Sequence, residues 1–282
     1  MSRTPLDVAA LRPALLAPTG PLGAVDVVDA VASTHTEMVA RARAGAVASA
    51  VLVAEHQRAG RGRAGRTWQT PPRAALTASY LLRPHVPAGS LGWLPLLAGL
   101  AVVRTLGPGG VRARLKWPND VLLPAHEAVE GLGRYRKVAG VLAEVVPDGG
   151  AGDGPGVVLG VGLNVDQAAE ELPVPTATSL RLVGGAGLDR GELLVALTGE
   201  LFATLARWEA AGGDAEAAGL AGEYAEVSAT LGTRVRVEPA GGGDAVVGEA
   251  LRVADDGALV LATADGERVV TAGDVHHLRR EE

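Results

Sequence analysis

The chain has 282 residues, 48% of them hydrophobic and 21% charged, with a formal net charge of −6 and no cysteine. That length accommodates one large domain and a small second one, and the missing cysteines exclude disulfides, thiolate metal sites and a cysteine nucleophile. The acidic balance argues against a general nucleic-acid binder. The apolar stretch at residues 93–103 is too short to cross a bilayer and the first twenty residues lack a secretory pattern, so a cytoplasmic protein is expected.

Residues 1–23, with Pro5, Pro13 and Pro18, read as an arm or short helix, too short for a helix-turn-helix module. Residues 24–31 are rich in β-branched side chains and read as a strand. A helix follows from Thr36 to Ala46 with Thr36 as its N-cap. Strands are expected over 50–55 and 76–82, separated by a Gly/Arg loop at 57–67, and an apolar helix over 90–106 that Gly107-Pro108 stops. Further strands flank Lys116 and cover 137–146 and 157–165, with a Gly/Asp turn between the last two. Asp189 caps a helix to about Ala211, and a second helix runs to about Ala229. In 230–282 five short strands alternate with Gly- and Asp-rich turns, the pattern of a small SH3-like β-barrel. The chain is therefore α+β, with a large domain over 24–229 and a small one over 230–282.

Its codon-like bias helps to locate the chemistry. Lys116 and Lys137 are the only lysines beside 24 arginines, Asn119 and Asn164 are the only asparagines, and isoleucine is absent. An ammonium and a guanidinium differ in shape and hydration, so a chain that defaults to arginine keeps lysine where an ammonium is needed. Lys116-Trp-Pro-Asn119-Asp120 offers ammonium, amide and carboxylate together, the set that a nucleoside triphosphate with Mg²⁺ requires. Pro-Asn-Asp is also ordinary turn chemistry. Lys137 opens a strand of small residues, Ala139, Gly140 and Ala143, along which a flat ligand with a carboxylate can lie. The segment Gly60-Arg61-Gly62-Arg63-Ala64-Gly65-Arg66-Thr67-Trp68, with Arg58, carries four guanidinium groups and no acid. Bare, such a loop is not expected to settle, and a polyanion would order it. Taken alone it reads equally as a solvated loop or an RNA-binding patch. Ser33 and Thr34 fit a helix cap or a polar ligand head. The histidines show no metal-ligand spacing, and His276-His277 reads as structural or solvated.

In this order, Ser33-Thr34, Gly60 to Trp68, Lys116 to Asp120, Lys137-Val-Ala-Gly140 and Gly160-Val-Gly-Leu-Asn164 closely resemble biotin protein ligases, over about residues 24–280. The resemblance implies a seven-stranded mixed sheet of the biotin/lipoate ligase type with helices on one side, followed by an SH3-like domain. It implies a two-step reaction: biotin and MgATP give biotinyl-5′-AMP and pyrophosphate, and a lysine of a biotin carboxyl carrier protein then takes the biotinyl group. By the same resemblance Ser33, Thr34, His35 and Gln57 line the biotin ring. Arg61, Gly62 and Arg63 fold over the adenylate, Arg63 retaining it, and Arg66 adds to the nucleotide site. Trp68 packs near adenine, Lys116 meets the triphosphate, Asn119 and Asp120 serve Mg²⁺, and Asn164 contacts the nucleotide. Lys137, beside Gly140, holds the biotin carboxylate and the developing charge at phosphorus.

This chain departs from the family at His35, where Asn is common, and at Ala64, where Arg is. No winged helix precedes the first strand, so the form implied is monofunctional, without DNA as a partner, and a monomer or weak homodimer. A lipoate–protein ligase is the nearest alternative. An Arg-rich nucleic-acid module would explain the loop but not Lys-Trp-Pro-Asn-Asp.

Overall fold

A computed structural model describes residues 3–147, 155–184, 188–240 and 242–278. The N-terminal arm forms one helix, α1 (Val8–Leu15), capped by Asp7. Strands β1 (Ala24–Val28) and β2 (Ala50–Ala54) flank helix α2 (Thr34–Arg43), and the short β3 (Gly60–Arg61) and β4 (Thr67–Trp68) form a hairpin. Then come β5 (Ala75–Leu82), α3 (Leu94–Leu106), β6 (Arg114–Lys116), β7 (Asp120–Val129), β8 (Gly133–Val146) and β9 (Gly156–Asn164). Helices α4 (Arg190–Ala210) and α5 (Leu220–Val227) lead to β10 (Arg234–Pro239), β11 (Val246–Val253), β12 (Leu259–Thr263), β13 (Gly266–Val270) and β14 (Gly273–His277). The Gly/Asp turn expected between β8 and β9 lies outside the described residues.

The large sheet has seven strands in the order β1-β2-β5-β9-β8-β7-β6. Only β1 and β2 run parallel; the remaining neighbours are antiparallel, so the sheet is mixed. Alternation along β2 assigns its two faces. Val51 and Val53 join the main core beneath α1, α3 and α4, whereas Ala50 and Leu52 pack with Met38 and Val39 of α2. Helices therefore cover both faces, which corrects the one-sided arrangement expected from the resemblance. The reason is local: α2 buries only a short apolar stripe, sufficient for one end of the second face. Its N-cap is Ser33, whose Oγ accepts from Thr36 N, and not Thr36.

A 3₁₀ turn over Ala88–Trp93 runs into α3, so 22 residues, Ala88–Gly109, are long and apolar enough to cross a membrane by length and composition. This is longer than the run read from the sequence. Here it is a core helix: Leu94, Leu97, Ala98, Ala101 and Val102 are buried under the sheet.

The tail strands form an antiparallel five-stranded sheet in the order β13-β12-β11-β10-β14. Its seam with the large domain is close. Indole nitrogens of Trp93 and Trp117 donate to the carbonyls of Ala254 and Gly257, both at 3.0 Å. A Cβ on Gly92 would lie 2.0 Å from the Asp256 carbonyl oxygen, so this contact needs glycine.

The arm is fastened through a buried ion pair. Glu55 accepts from Arg190 Nη1 at 2.6 Å and from Leu6 N at 2.5 Å, while Arg190 Nη2 donates to Thr4 O at 2.8 Å. Both side chains are under a tenth exposed. Removing one partner strands the other charge, at a cost of roughly 3–5 kcal/mol. Arg190→Met is therefore expected to lower stability by about 3 kcal/mol in urea unfolding, with part recovered on adding Glu55→Gln.

Candidate active site

The α2 face of the sheet has a floor without side chains. Gly160 and Gly162, two apart on β9, share this face, and Gly162 pairs directly with Gly140 on β8. A Cβ on Gly162 would lie 2.6 Å from Cε2 of Trp68, and one on Gly140 would lie 3.1 Å from Lys137 Nζ and 3.5 Å from Trp68. Glycine is thus what allows an indole and an ammonium to lie against the backbone. Lys137 Nζ sits 5.8 Å from the centre of the Trp68 ring. It lies within β8, not at the strand's opening, with its backbone bridged to Ala177.

At one end of this trough the start of α2 presents its side chains. Thr34 donates from N and Oγ1 to Gln57 Oε1 at 2.8 and 3.0 Å, and Ser79 Oγ donates to Thr34 Oγ1 at 2.9 Å. Ser33 is buried and occupied as the helix cap. His35, 3% exposed, has Nε2 at 3.3 Å from Glu144 Oε2. Burial pushes its pKa down against the pull of Glu144, so the ring is neutral near pH 7. Two buried polar atoms here lack a partner, His35 Nδ1 and Trp68 Nε1.

At the other end charges converge. Lys116 and Asp120 are paired across the β6–β7 turn, and Lys137 Nζ lies 2.5 Å from Asp120 Oδ1. Burial pushes the Asp120 carboxyl up, but Lys137 and Lys116 together outweigh it and hold the pKa down. Lys116 is 9% exposed; burial lowers its pKa, Asp120 opposes this, and Lys137 adds to it. An ammonium made this uncomfortable favours an arriving anion.

The Gly/Arg loop forms a hairpin. Gly60 pairs with Trp68 and Arg61 with Thr67, Gly62 N donates to Arg66 O at 2.7 Å, and Ala64 and Gly65 take positive φ at the tip. Two of its cations have partners: Arg63 Nη1 donates to Asn119 Oδ1 at 3.3 Å, and Arg66 pairs with Asp274 of β14. Trp68 supplies the apolar anchor.

A cavity of about 510 Å³ brings together Gly62, Arg63, Arg66, Trp68, Lys116, Asn119, Asp120, Lys137, Gly140 and Asn164. Ser33, Thr34, His35 and Gln57 stand outside it, at the α2 end of the glycine floor, and Arg61 is exposed. Asn164 lines the cavity, yet its amide is engaged structurally, donating to Thr178 O at 2.9 Å and accepting from Gln167 at 2.8 Å. The sequence reading missed Asp274 and His276 of the tail, which close the cavity wall. It also missed Ser79 and Glu144. A serine in the fully buried β5 was the available signal for Ser79.

As built, Asn119 and Asp120 do not fit a protein-held magnesium ion. Asn119 Oδ1 faces a guanidinium, Asn119 Nδ2 donates to Val141 O at 2.7 Å, and the Asp120 carboxylate lies between two ammoniums. Among the described residues no cluster of three or more His, Asp or Glu could hold a metal.

Residues 29–164 match the model of the biotin/lipoate A/B protein ligase family, and residues 230–278 that of the biotin protein ligase C terminal domain. The biotin–[acetyl-CoA-carboxylase] ligase of Mycobacterium tuberculosis is 44% identical over 98% of this chain and 97% of its own length. The chain belongs to the biotin protein ligase family. The enzyme of the same name from Paracoccus denitrificans is 32% identical over 86% of this chain and 96% of its own. Among solved structures, the biotin protein ligase from Aquifex aeolicus in complex with biotin and ATP superposes with a TM-score of 0.70. It is 27% identical over 92% of this chain and 98% of that one. The α+β mixed-sheet fold and the tail sheet are those of biotin protein ligases.

The tail of this ligase also touches the Lys116 turn through His277, whose Nε2 lies 3.4 Å from Thr230 Oγ1, which in turn accepts from Trp117 N at 3.1 Å. Burial, with the charges of Lys116 and His276, pushes the His277 pKa down to about 4. In the unfolded chain the ring titrates near 6.5, so between pH 6.5 and 4 the unfolded state binds a proton that the native state refuses. This contribution to stability is intact above pH 6.5 and is lost as the pH falls through that window. His277→Gln is expected to lose about 2 kcal/mol less than the unaltered chain between pH 7 and 4.5 in urea unfolding.

Proposed function

We infer that this chain is an ATP-dependent ligase that activates biotin as biotinyl-5′-AMP and transfers it to a lysine of a biotin carboxyl carrier protein. The observation that carries the residue assignments is the convergence of Lys116, Lys137, Arg63 and Arg66 on a glycine-floored trough. The same trough offers an unpartnered acceptor, His35 Nδ1, at its α2 end and an unpartnered donor, Trp68 Nε1, along its length.

Biotin lies along the trough with its ring toward Thr34, His35, Ser79 and Gln57 and its carboxylate toward Lys137. Lys137 exchanges Asp120 for that carboxylate, which brings two anions, carboxylate and α-phosphate, within reach of each other. The carboxylate oxygen attacks the α-phosphorus and pyrophosphate leaves. Lys116 and Arg66 take the phosphate charge, Arg66 leaving Asp274 to do so. Orienting two reactants in this way supplies roughly 7–11 kcal/mol of the barrier. Arg63, with Arg61 and Gly62, closes over the mixed anhydride and keeps water from it. Trp68 holds the trough apolar between the two ends. Asn164 supports the nucleotide end by tying β9 to residues 167–179.

Magnesium would enter as part of the MgATP co-substrate, where it would supply charge neutralisation to the phosphates, oxygen ligands being what a hard cation prefers. In the second step the ε-amine of the carrier lysine attacks the acyl carbon and AMP leaves. The partner is a protein domain and not DNA, and one chain supplies all the residues named, so a monomer or weak homodimer suffices. ATP and biotin as co-substrates fit a cytoplasmic setting.

Lys137→Arg tests the assignment. A planar guanidinium fork cannot present one compact donor where Nζ lies 2.5 Å from Asp120. Biotin-dependent pyrophosphate release is expected to fall by roughly 100-fold or more with the fold intact. Activity near that of the unaltered chain would refute the role.

A further inference from the structure

The two orphan atoms of the trough have definite polarity. Trp68 Nε1 is a donor. His35 Nδ1 is made an acceptor by what the other ring nitrogen faces. Glu144 Oε2 lies 3.3 Å from Nε2, and a carboxylate accepts, so the proton of the neutral ring sits on Nε2. The opposite tautomer would set a lone pair against an anionic oxygen. Arg43 lies 3.7 Å from the second oxygen of Glu144 and holds that carboxylate from the outer side.

The unprotonated Nδ1 is directed at the sheet floor. A Cβ on Gly160 would lie 3.0 Å from it, so the ring's approach to the floor relies on glycine there. Ser79 Oγ, 3.5 Å from that Cβ position, has already given its proton to Thr34. A buried, unpartnered acceptor costs free energy until a donor reaches it.

We propose that Glu144 is a positioning residue for substrate recognition. By fixing the His35 tautomer it presents Nδ1 as the acceptor for a ring N–H of biotin's ureido group. This rests on the biotin ligase reading and deepens it. A cyclic urea carries such donors, whereas a dithiolane of the lipoate kind has none and would leave Nδ1 buried and unsatisfied. Selection between the two acids at this end of the trough therefore follows from the proton on one imidazole.

The test is calorimetric titration of the full chain with biotin, together with nitrogen-15 NMR of the histidine rings, the His35 signals being assigned by their loss in the variants. The unaltered chain is expected to hold His35 as the Nε2–H tautomer, with its Nδ1 resonance moving toward a hydrogen-bonded position when biotin is added. His35→Leu is expected to weaken biotin roughly 5- to 150-fold. His35→Asn, whose amide oxygen again accepts, restores most of that loss. Glu144→Leu weakens biotin while His35 becomes a mixture of tautomers. An Nδ1–H tautomer in the unaltered chain, an Nδ1 resonance indifferent to biotin, or equal affinity of His35→Leu would overturn the inference and leave the ligase reading standing. Absence of biotin binding by the unaltered chain would overturn the ligase reading itself.

Discussion

One carboxylate between two ammoniums governs this molecule. Asp120 faces Lys137 at 2.5 Å and pairs across a turn with Lys116, and neither lysine can relax away because both are held by strands. Without Asp120 the two like charges would repel each other in a poorly hydrated site. With it the pair is tolerable but not saturated, and an anion can take its place. The surrounding features follow from this constraint. Glycines floor the site because the Lys137 side chain and the Trp68 ring need the volume. The Gly/Arg loop folds inward because Asn119 and Asp274 give two of its cations something to hold.

The tail domain is part of the same arrangement. Trp117, in the turn between the two charged residues, is 1% exposed and anchors its indole on Gly257 of the tail. Asp274 reaches back to Arg66, and His276 lines the cavity. A turn carrying a lysine, an asparagine and an aspartate is thus clamped between two domains. Its side chains are positioned before any substrate arrives, which is where electrostatic catalysis has its advantage.

Much of this was legible in the sequence, for reasons that can be stated. Lysine and asparagine are rare here, so Lys116, Lys137 and Asn119 announced themselves, and all three line one cavity. Strands with strong apolar character, such as β2 and β5, and the capped helix α4 fall close to where periodicity puts them. What failed depended on distant contacts. Ser33 displaces Thr36 as the α2 cap because Thr34 and His35 are already needed inside the helix, against Gln57 and Glu144. The partners of the Gly/Arg loop, Asn119 and Asp274, could not be read from it because they lie 56 and 208 residues away in sequence. Asp274 and His276 carried no local signal: a charged residue on a short exposed strand looks the same whether or not a catalytic site stands opposite.

The most direct test of this account is to mix the full chain with biotin and α-labelled ATP, measure bound adenylate, and then chase with a biotin carrier domain. The account requires labelled adenylate that forms only when biotin is present and disappears as the carrier gains biotin on one lysine. Adenylate that forms without biotin, or none in its presence, would contradict it.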